Sequence, residues 1–196
     1  MKRILPILFV VLFASCAGKK AVTEQTVTPT TQTTKPSTKP TKHVDKEQTE
    51  MLRRIARHLA PGGRIVIAIE NRLGLKYWAG CTEDHVGKYF EGLENYPDTR
   101  SVRTFSRKEL SDIIDQAGEF KTTFYYPYPD YKFPMTIYSD KRLPKKGELR
   151  DNFCNFDRNR IQLFNEGKVY DSLTDAGLFQ EFSNSFLVIV ERKENK

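Results

Sequence analysis

Cysteine, histidine and tryptophan are scarce in this 196-residue chain, with three, three and one of each. No CxxC pair exists, and His43, His58 and His85 show no metal-ligand spacing, so no zinc module or other metal centre is read from the sequence. Long like-charge runs are missing too. The 32 Lys+Arg and 25 Asp+Glu are interspersed, for a net charge of +7. That balance argues against nucleic-acid binding and suits mild attraction to anionic lipid. No apolar run reaches the ~20 residues of a membrane-spanning helix. No GxGxxG loop is present, so the sequence offers no glycine-built phosphate cradle.

The first residues are organised. Met1-Lys2-Arg3 is basic, residues 4–14 are mainly apolar, and Ser15-Cys16-Ala17-Gly18 is small. This is the layout of a secretory signal over residues 1–15. Phe13-Ala14-Ser15-Cys16 resembles the lipobox of bacterial lipoproteins. It implies lipidation of Cys16 and a membrane-anchored place in the bacterial cell envelope. An ordinary signal with an unmodified Cys16 is the alternative, and a cytoplasmic chain follows if the leader is an artefact. Residues 16–45 then form a tether. Nine threonines and three prolines lie between Thr23 and Lys42. Such a segment buries too little apolar surface to offset its ordering entropy, so a disordered linker is expected. An O-glycosylated stalk is the other reading. With Cys16 lipidated, Cys81 and Cys154 remain, as one disulfide or as two buried thiols.

Residues 46–196 are long enough for one domain with its own core. Met51, Leu52, Ile55 and Leu59 make an apolar stripe at helical spacing, predicting a helix over 47–59. Pro61-Gly62-Gly63 stops it. The β-branched run Ile65-Val66-Ile67-Ala68-Ile69 predicts a strand over 64–70, covered on both faces as in a parallel α/β sheet. Residues 71–103 read as a long functional loop. Ser106 and Glu109 form a capping box for a helix over 106–117. Residues 121–126 read as a strand. Pro127, Pro129 and Pro134 argue against an interior strand beyond it. A mixed helix is expected over 152–168, a short helix or turn over 173–179, a buried strand over 186–190, and a frayed charged tail over 191–196.

Several of these stretches carry a resemblance. HLAPGGRIVIAIEN resembles the later half of class I S-adenosylmethionine-dependent methyltransferases, where a helix ending near Pro-Gly-Gly leads into the fifth strand. IENRLGLKYWAG, EDH, RTFSRKEL, YYPYPDYKFP and NSFLVI resemble a bacterial subgroup often found with glycosyltransferases of surface-polysaccharide synthesis. The likeness covers roughly residues 48–192. It implies an α/β fold with a partial Rossmann-like sheet, made of the last three strands with the final one antiparallel. The family builds its cofactor site from its first four strands, and its cofactor residues map onto nothing here. The resemblance therefore implies a truncated domain that binds no S-adenosylmethionine alone. It also implies an open edge along residues 65–69, filled by a second copy or a partner chain.

Candidate site residues follow from both lines. Glu70 and Asn71 stand where the strand meets the crevice that faces the methyl acceptor in the family. There a carboxylate could orient an acceptor hydroxyl or take its proton; a strand-end cap is the alternative. Glu83-Asp84-His85 joins two carboxylates to an imidazole, and either carboxylate could raise the basicity of His85. An exposed loop cluster is the other reading. Tyr77, Trp78, Tyr128 and Tyr131 suit an aromatic platform for a sugar-like acceptor, or plain core filling. Lys76, Asp130 and Lys132 could line the same pocket; an outward-facing ion pair of Asp130 and Lys132 is the alternative. Asn184 and Ser185 read as sheet caps.

Three functions remain open. The domain is an acceptor-side methyltransferase half with little catalysis of its own, a non-catalytic lipoprotein module binding envelope glycans, or an active enzyme completed by a partner chain.

Overall fold

The computed structural model describes residues 7–9, 41–99, 102–150 and 160–193, with side chains from residue 46 onward. The expectations for Cys16, for the linker before residue 41 and for Cys154 fall outside these residues. Cys81 is buried.

Helix α1, Thr41–Arg57, starts earlier than its apolar stripe suggests. It buries Leu52 and Ala56, and Arg54 and Arg57 complement the dipole in its last turn. A turn follows in which the Gly63 N–H bonds the Ala60 carbonyl at 2.8 Å. Gly62 takes a left-handed φ of 71° there, which any β-carbon would resist. The chain then enters strand β2, Arg64–Glu70, with the bounds the apolar run predicts.

Five strands make one sheet in the order β1-β2-β5-β3-β4. These are β1 Ile7–Phe9, β2, β3 Phe120–Tyr128, β4 Thr136–Ser139 and β5 Ser185–Arg192. Strand β5 runs antiparallel to both β2 and β3, so those two are parallel to each other. The crossover between them carries helix α3, Arg107–Ala117. Its capping box is present: Ser106 accepts from the Glu109 N–H, and the Glu109 carboxylate accepts from the Ser106 N–H at 2.8 Å.

Register decides which side chains share a face. Ile65, Ile67 and Ile69 pair with Val190, Val188 and Phe186, and Phe124 pairs with Val188. All seven are buried, and they join Leu52 of α1 and Leu110, Ile113 and Ile114 of α3 in one core. Each such side chain contributes about 1.5–3 kcal/mol by leaving water. Val66, Ala68, Leu187 and Ile189 point the other way and are only half-buried. The two-sided covering expected for β2 is thus corrected to one sealed face.

Four other expectations change. Pro127 lies inside β3, opposite Ile137 of β4, where the β5 register has already ended at Tyr125. At that point β3 has a partner on one side only, so the missing proline N–H removes no ladder bond to β5. Residues 160–165 are not helical. Asn165 caps α4, Glu166–Asp175, by accepting from the Lys168 N–H, and residues 152–159 fall outside the description. The segment expected as one short helix over 173–179 divides between the end of α4, a turn at Gly177 and the start of α5, Phe179–Phe182. Glu191 and Arg192 belong to β5 rather than to a frayed tail, and Arg64 Nε holds Glu191 at 2.6 Å.

Three residues of the expected leader, Ile7–Phe9, form β1 and run parallel to Arg64–Val66. The edge expected to be open along 65–69 is covered there. No helix among the described residues is long and apolar enough to cross a membrane.

Candidate active site

The carboxyl end of β2 delivers Glu70 and Asn71, both buried, to the rim of the sheet. The next turn places helix α2, Leu75–Trp78, directly behind them. Gly74 makes this turn possible. A β-carbon there would fall 2.9 Å from Asn184 Cα and 3.0 Å from the Asn71 carbonyl, so its smallness is used by chain packing.

The Asn71 side chain is taken up by backbone groups. Its side-chain amide donates to the Glu181 and Ser183 carbonyls, each at 2.8 Å, and its oxygen accepts from the Leu73 N–H. Asn184 couples two loops: its oxygen accepts from the Lys76 N–H at 2.9 Å, and its amide donates to the Pro129 carbonyl at 3.0 Å. The Ser185 hydroxyl accepts from the Tyr131 N–H at 2.9 Å. The start of β5 therefore staples the 71–78 turn to the 129–132 loop. A cis bond joins Tyr128 to Pro129 as that loop begins.

These staples bring Glu70, Lys76, Tyr77, Asp84, His85, Asp130, Tyr131 and Lys132 into one charged network. Lys76 Nζ is buried 2.8 Å from Asp84 Oδ2 and 3.1 Å from Asp130 Oδ2. The Tyr77 hydroxyl donates to the same Asp84 oxygen at 2.5 Å. Lys132 Nζ bridges Glu70 Oε1 at 3.0 Å and Asp84 Oδ1 at 3.2 Å. The Tyr131 hydroxyl donates to Glu70 Oε1 at 3.2 Å, and His85 Nε2 faces Glu70 Oε2 at 3.7 Å.

Protonation follows from these contacts. Burial raises the Glu70 pKa, but the His85 imidazole and the two ammonium groups outweigh it and lower it to about 2. Burial likewise works against the Asp84 carboxylate, and Lys76, Tyr77 and Lys132 overcome it and hold it ionised. Lys76 and Lys132 are pushed up by their carboxylates against the opposing effect of burial. His85 is raised above 6.5, first by Glu70 and less by Glu83 and Asp84, with burial opposing.

Asp84 and Glu83 thus add to the basicity of His85, as expected, but the carboxylate nearest the imidazole is Glu70. Glu83 also folds the loop. It accepts from the His85 and Val86 N–H groups at 2.8 and 2.6 Å and from the Tyr96 hydroxyl at 3.1 Å.

The aromatic platform does not form. Tyr77 lies buried beneath Asp84, and Tyr128 is buried edge-on to Tyr170 with its hydroxyl on the Leu149 carbonyl. Trp78 faces solvent near Phe182, with its indole N–H on the Leu73 carbonyl. Tyr131 alone of the four stands at the charged cluster's rim. Tyr96 and Thr104 were missed by sequence reasoning. Tyr96 sits at a φ of 56° and shares its hydroxyl with Glu83 and with Thr104, and no local pattern announces such a long-range bond.

Beside the half-buried Tyr131, the side chains that reach solvent are His85, at 19% exposure, and Lys132, at 33%. The carboxylates behind them are nearly sealed, Glu70 and Asp84 at 3% each. The rim therefore offers a proton acceptor, a fixed cation and a phenol, with the negative charge held underneath. Among the described residues no three His, Cys, Asp or Glu side chains are grouped to hold a metal ion.

No family model, curated protein or solved structure matches this chain.

Proposed function

We propose that this chain is the acceptor-side portion of a methyltransferase-like domain, holding a hydroxyl-bearing, sugar-like acceptor against His85 and Lys132. The observation that carries this reading is the Glu70–His85 pair at the carboxyl end of β2. Ligands of open α/β sheets sit at that end of the strands. A carboxylate behind an imidazole raises its basicity and fixes its direction, which suits removal of an acceptor proton. Lys132 would steady the oxyanion that forms, and Tyr131 would fix the acceptor's orientation by hydrogen bonding. The antiparallel β5 between two mutually parallel strands supports the methyltransferase likeness, as does the α3 crossover.

The sequence has no Gly-rich strand-to-helix loop, and Gly74 is occupied by packing against Asn184. S-adenosylmethionine does not fit the residues present. In this reading methyl transfer requires a second polypeptide that supplies the donor. The basic, apolar and cysteine-ended leader supports a place at the cell envelope.

Two titrations test the proposal. Calorimetry of the isolated chain with S-adenosylmethionine should give no heat; micromolar affinity would overturn the assignment to the acceptor side alone. A glycan array should show binding that weakens in His85→Ala and Lys132→Met. Glycan binding indifferent to both substitutions would move the acceptor elsewhere.

A second reading shares the same surface. Both lysines are already neutralised by carboxylates, which suits a static recognition site as well as a reactive one. Binding that survives Glu70→Gln and is unchanged with pH would favour an envelope glycan-binding module without chemistry.

A further inference from the structure

The opposite end of the sheet has its own cavity, of about 500 Å³. Arg53 and Arg57 of α1, Glu119 and Phe120 at the start of β3, and Arg192 and Lys193 at the end of β5 line it. Phe120 pairs with Arg192 in the β3–β5 register, and Glu191 beside it pairs with Arg64, at the far end of β2 from Glu70. The cavity is therefore remote from the His85 cluster.

Four cations face one carboxylate here. Nearby cations are neutralised differently: Arg64 and Lys121 both approach Glu191, at 2.6 and 3.9 Å. Inside the cavity two guanidinium groups are held by helix ends instead. Arg53 Nη2 donates to the Gln116 carbonyl at 2.6 Å, and Arg192 Nη2 donates to the Ala56 carbonyl. Those carbonyls belong to the last turns of α3 and α1, where orphan acceptors collect. These carbonyls carry only the partial negative charge of a helix end, so they anchor the forks and offset their full charge only in part. A guanidinium has five donors, so each fork keeps others for a ligand. Arg53 also stands 3.6 Å from Glu50 at the surface. Arg57 has no hydrogen-bond or ion-pair partner among the described residues.

We propose that this cavity binds a phosphate group, carried by a small soluble phosphoester or by an anionic lipid headgroup. Planar guanidinium forks match phosphate oxygens two at a time, and Lys193 adds a point charge. A volume of about 500 Å³ lies within the range of small-molecule sites and exceeds what one phosphate fills. Phe120 supplies an apolar wall for the organic body. Glu119 limits the affinity by opposing the anion.

The full chain should be titrated with inorganic pyrophosphate by calorimetry, and sedimented with vesicles of phosphatidylcholine with and without phosphatidylglycerol. Arg57→Glu combined with Lys193→Glu should weaken binding about tenfold or more, as expected for lost charge-assisted bonds. Glu119→Gln should tighten it several-fold, a gain that misfolding cannot imitate. Added salt should weaken both. Pyrophosphate heat with these responses assigns a soluble phosphoester. Phosphatidylglycerol-dependent sedimentation with these responses and no pyrophosphate heat assigns a headgroup. Neither signal, or binding that both variants leave unchanged, overturns the proposal.

Discussion

His85 Nε2 lies 3.7 Å from Glu70 Oε2, and this approach joins the end of β2 to a loop that folds back over it. The distance is an ion-pair distance, beyond a hydrogen bond. Its effect is electrostatic, and it acts on both partners in opposite directions.

The first consequence is a titration. Glu70 raises the His85 pKa above 6.5. In Glu70→Gln the imidazole should titrate lower, read as a shift of its carbon-bound proton resonances with pH. An imidazole base needs its neutral form, so any acceptor deprotonation by the wild type should rise with pH above 6.5. In stability, a raised histidine contributes fully below 6.5 and loses that contribution as pH rises through its folded pKa. Identical His85 titrations in both proteins would show that the pair is not coupled.

Acid tells the complementary story. Glu70 is lowered from 4.5 to about 2. A depressed carboxylate contributes stability above 4.5 and loses it as pH falls towards 2. The contribution is of order 3 kcal/mol for this nearly sealed group. Urea midpoints between pH 5 and pH 2 should fall less steeply in Glu70→Gln than in the wild type, because that variant has no Glu70 proton to take up.

Lys76 is the charge most deeply committed. Lys76→Met leaves Asp84 and Asp130 facing each other without their shared cation. Breaking one partner from a buried pair costs about 3–5 kcal/mol. Adding Asp84→Asn and Asp130→Asn should recover most of that loss in denaturant melts. If Lys76→Met is neutral, the network is not a source of stability.

The edge beside β2 gives a prediction about assembly. Ile7–Phe9 covers Arg64–Val66. A chain lacking residues 1–15 uncovers those backbone groups, and exposed apolar edges pair with other chains. Light scattering should show self-association of the shortened chain at concentrations where the full chain stays monomeric. A monomeric shortened chain with slow amide exchange along 65–69 would remove this role for β1.

Particular residues show how far the sequence could be read. The Arg64–Glu70 strand and the Ser106–Glu109 capping box were legible because each signal is local: a β-branched run and a three-residue spacing. Glu70, Asp84 and His85 were legible as chemistry, since carboxylates beside an imidazole are rare enough to notice. Their pairing was not. Nearness in the chain suggested Glu83 or Asp84 for His85; both add to its basicity, yet Asp84 makes its direct contacts with Lys76, Tyr77 and Lys132, and Glu70 is the nearest carboxylate. Lys76 was legible as a pocket residue but not as a buried one, because only distant Asp130 and Asp84 make its burial tolerable. Strand β4 was hidden by the prolines around it, whose effect depends on where the β5 register stops.

The order of the sheet has a consequence for how the chain is made. Strand β5 leaves the ribosome after β2, β3 and β4, yet it is the middle strand and bonds to both β2 and β3. Until it arrives, both of those strands lack their common neighbour. The sheet therefore cannot assemble progressively during synthesis, and its long-range pairings wait for the carboxyl-terminal segment. Nascent chains stalled before residue 185 should stay open to protease and dependent on chaperones, whereas the released chain can close the sheet in one cooperative step.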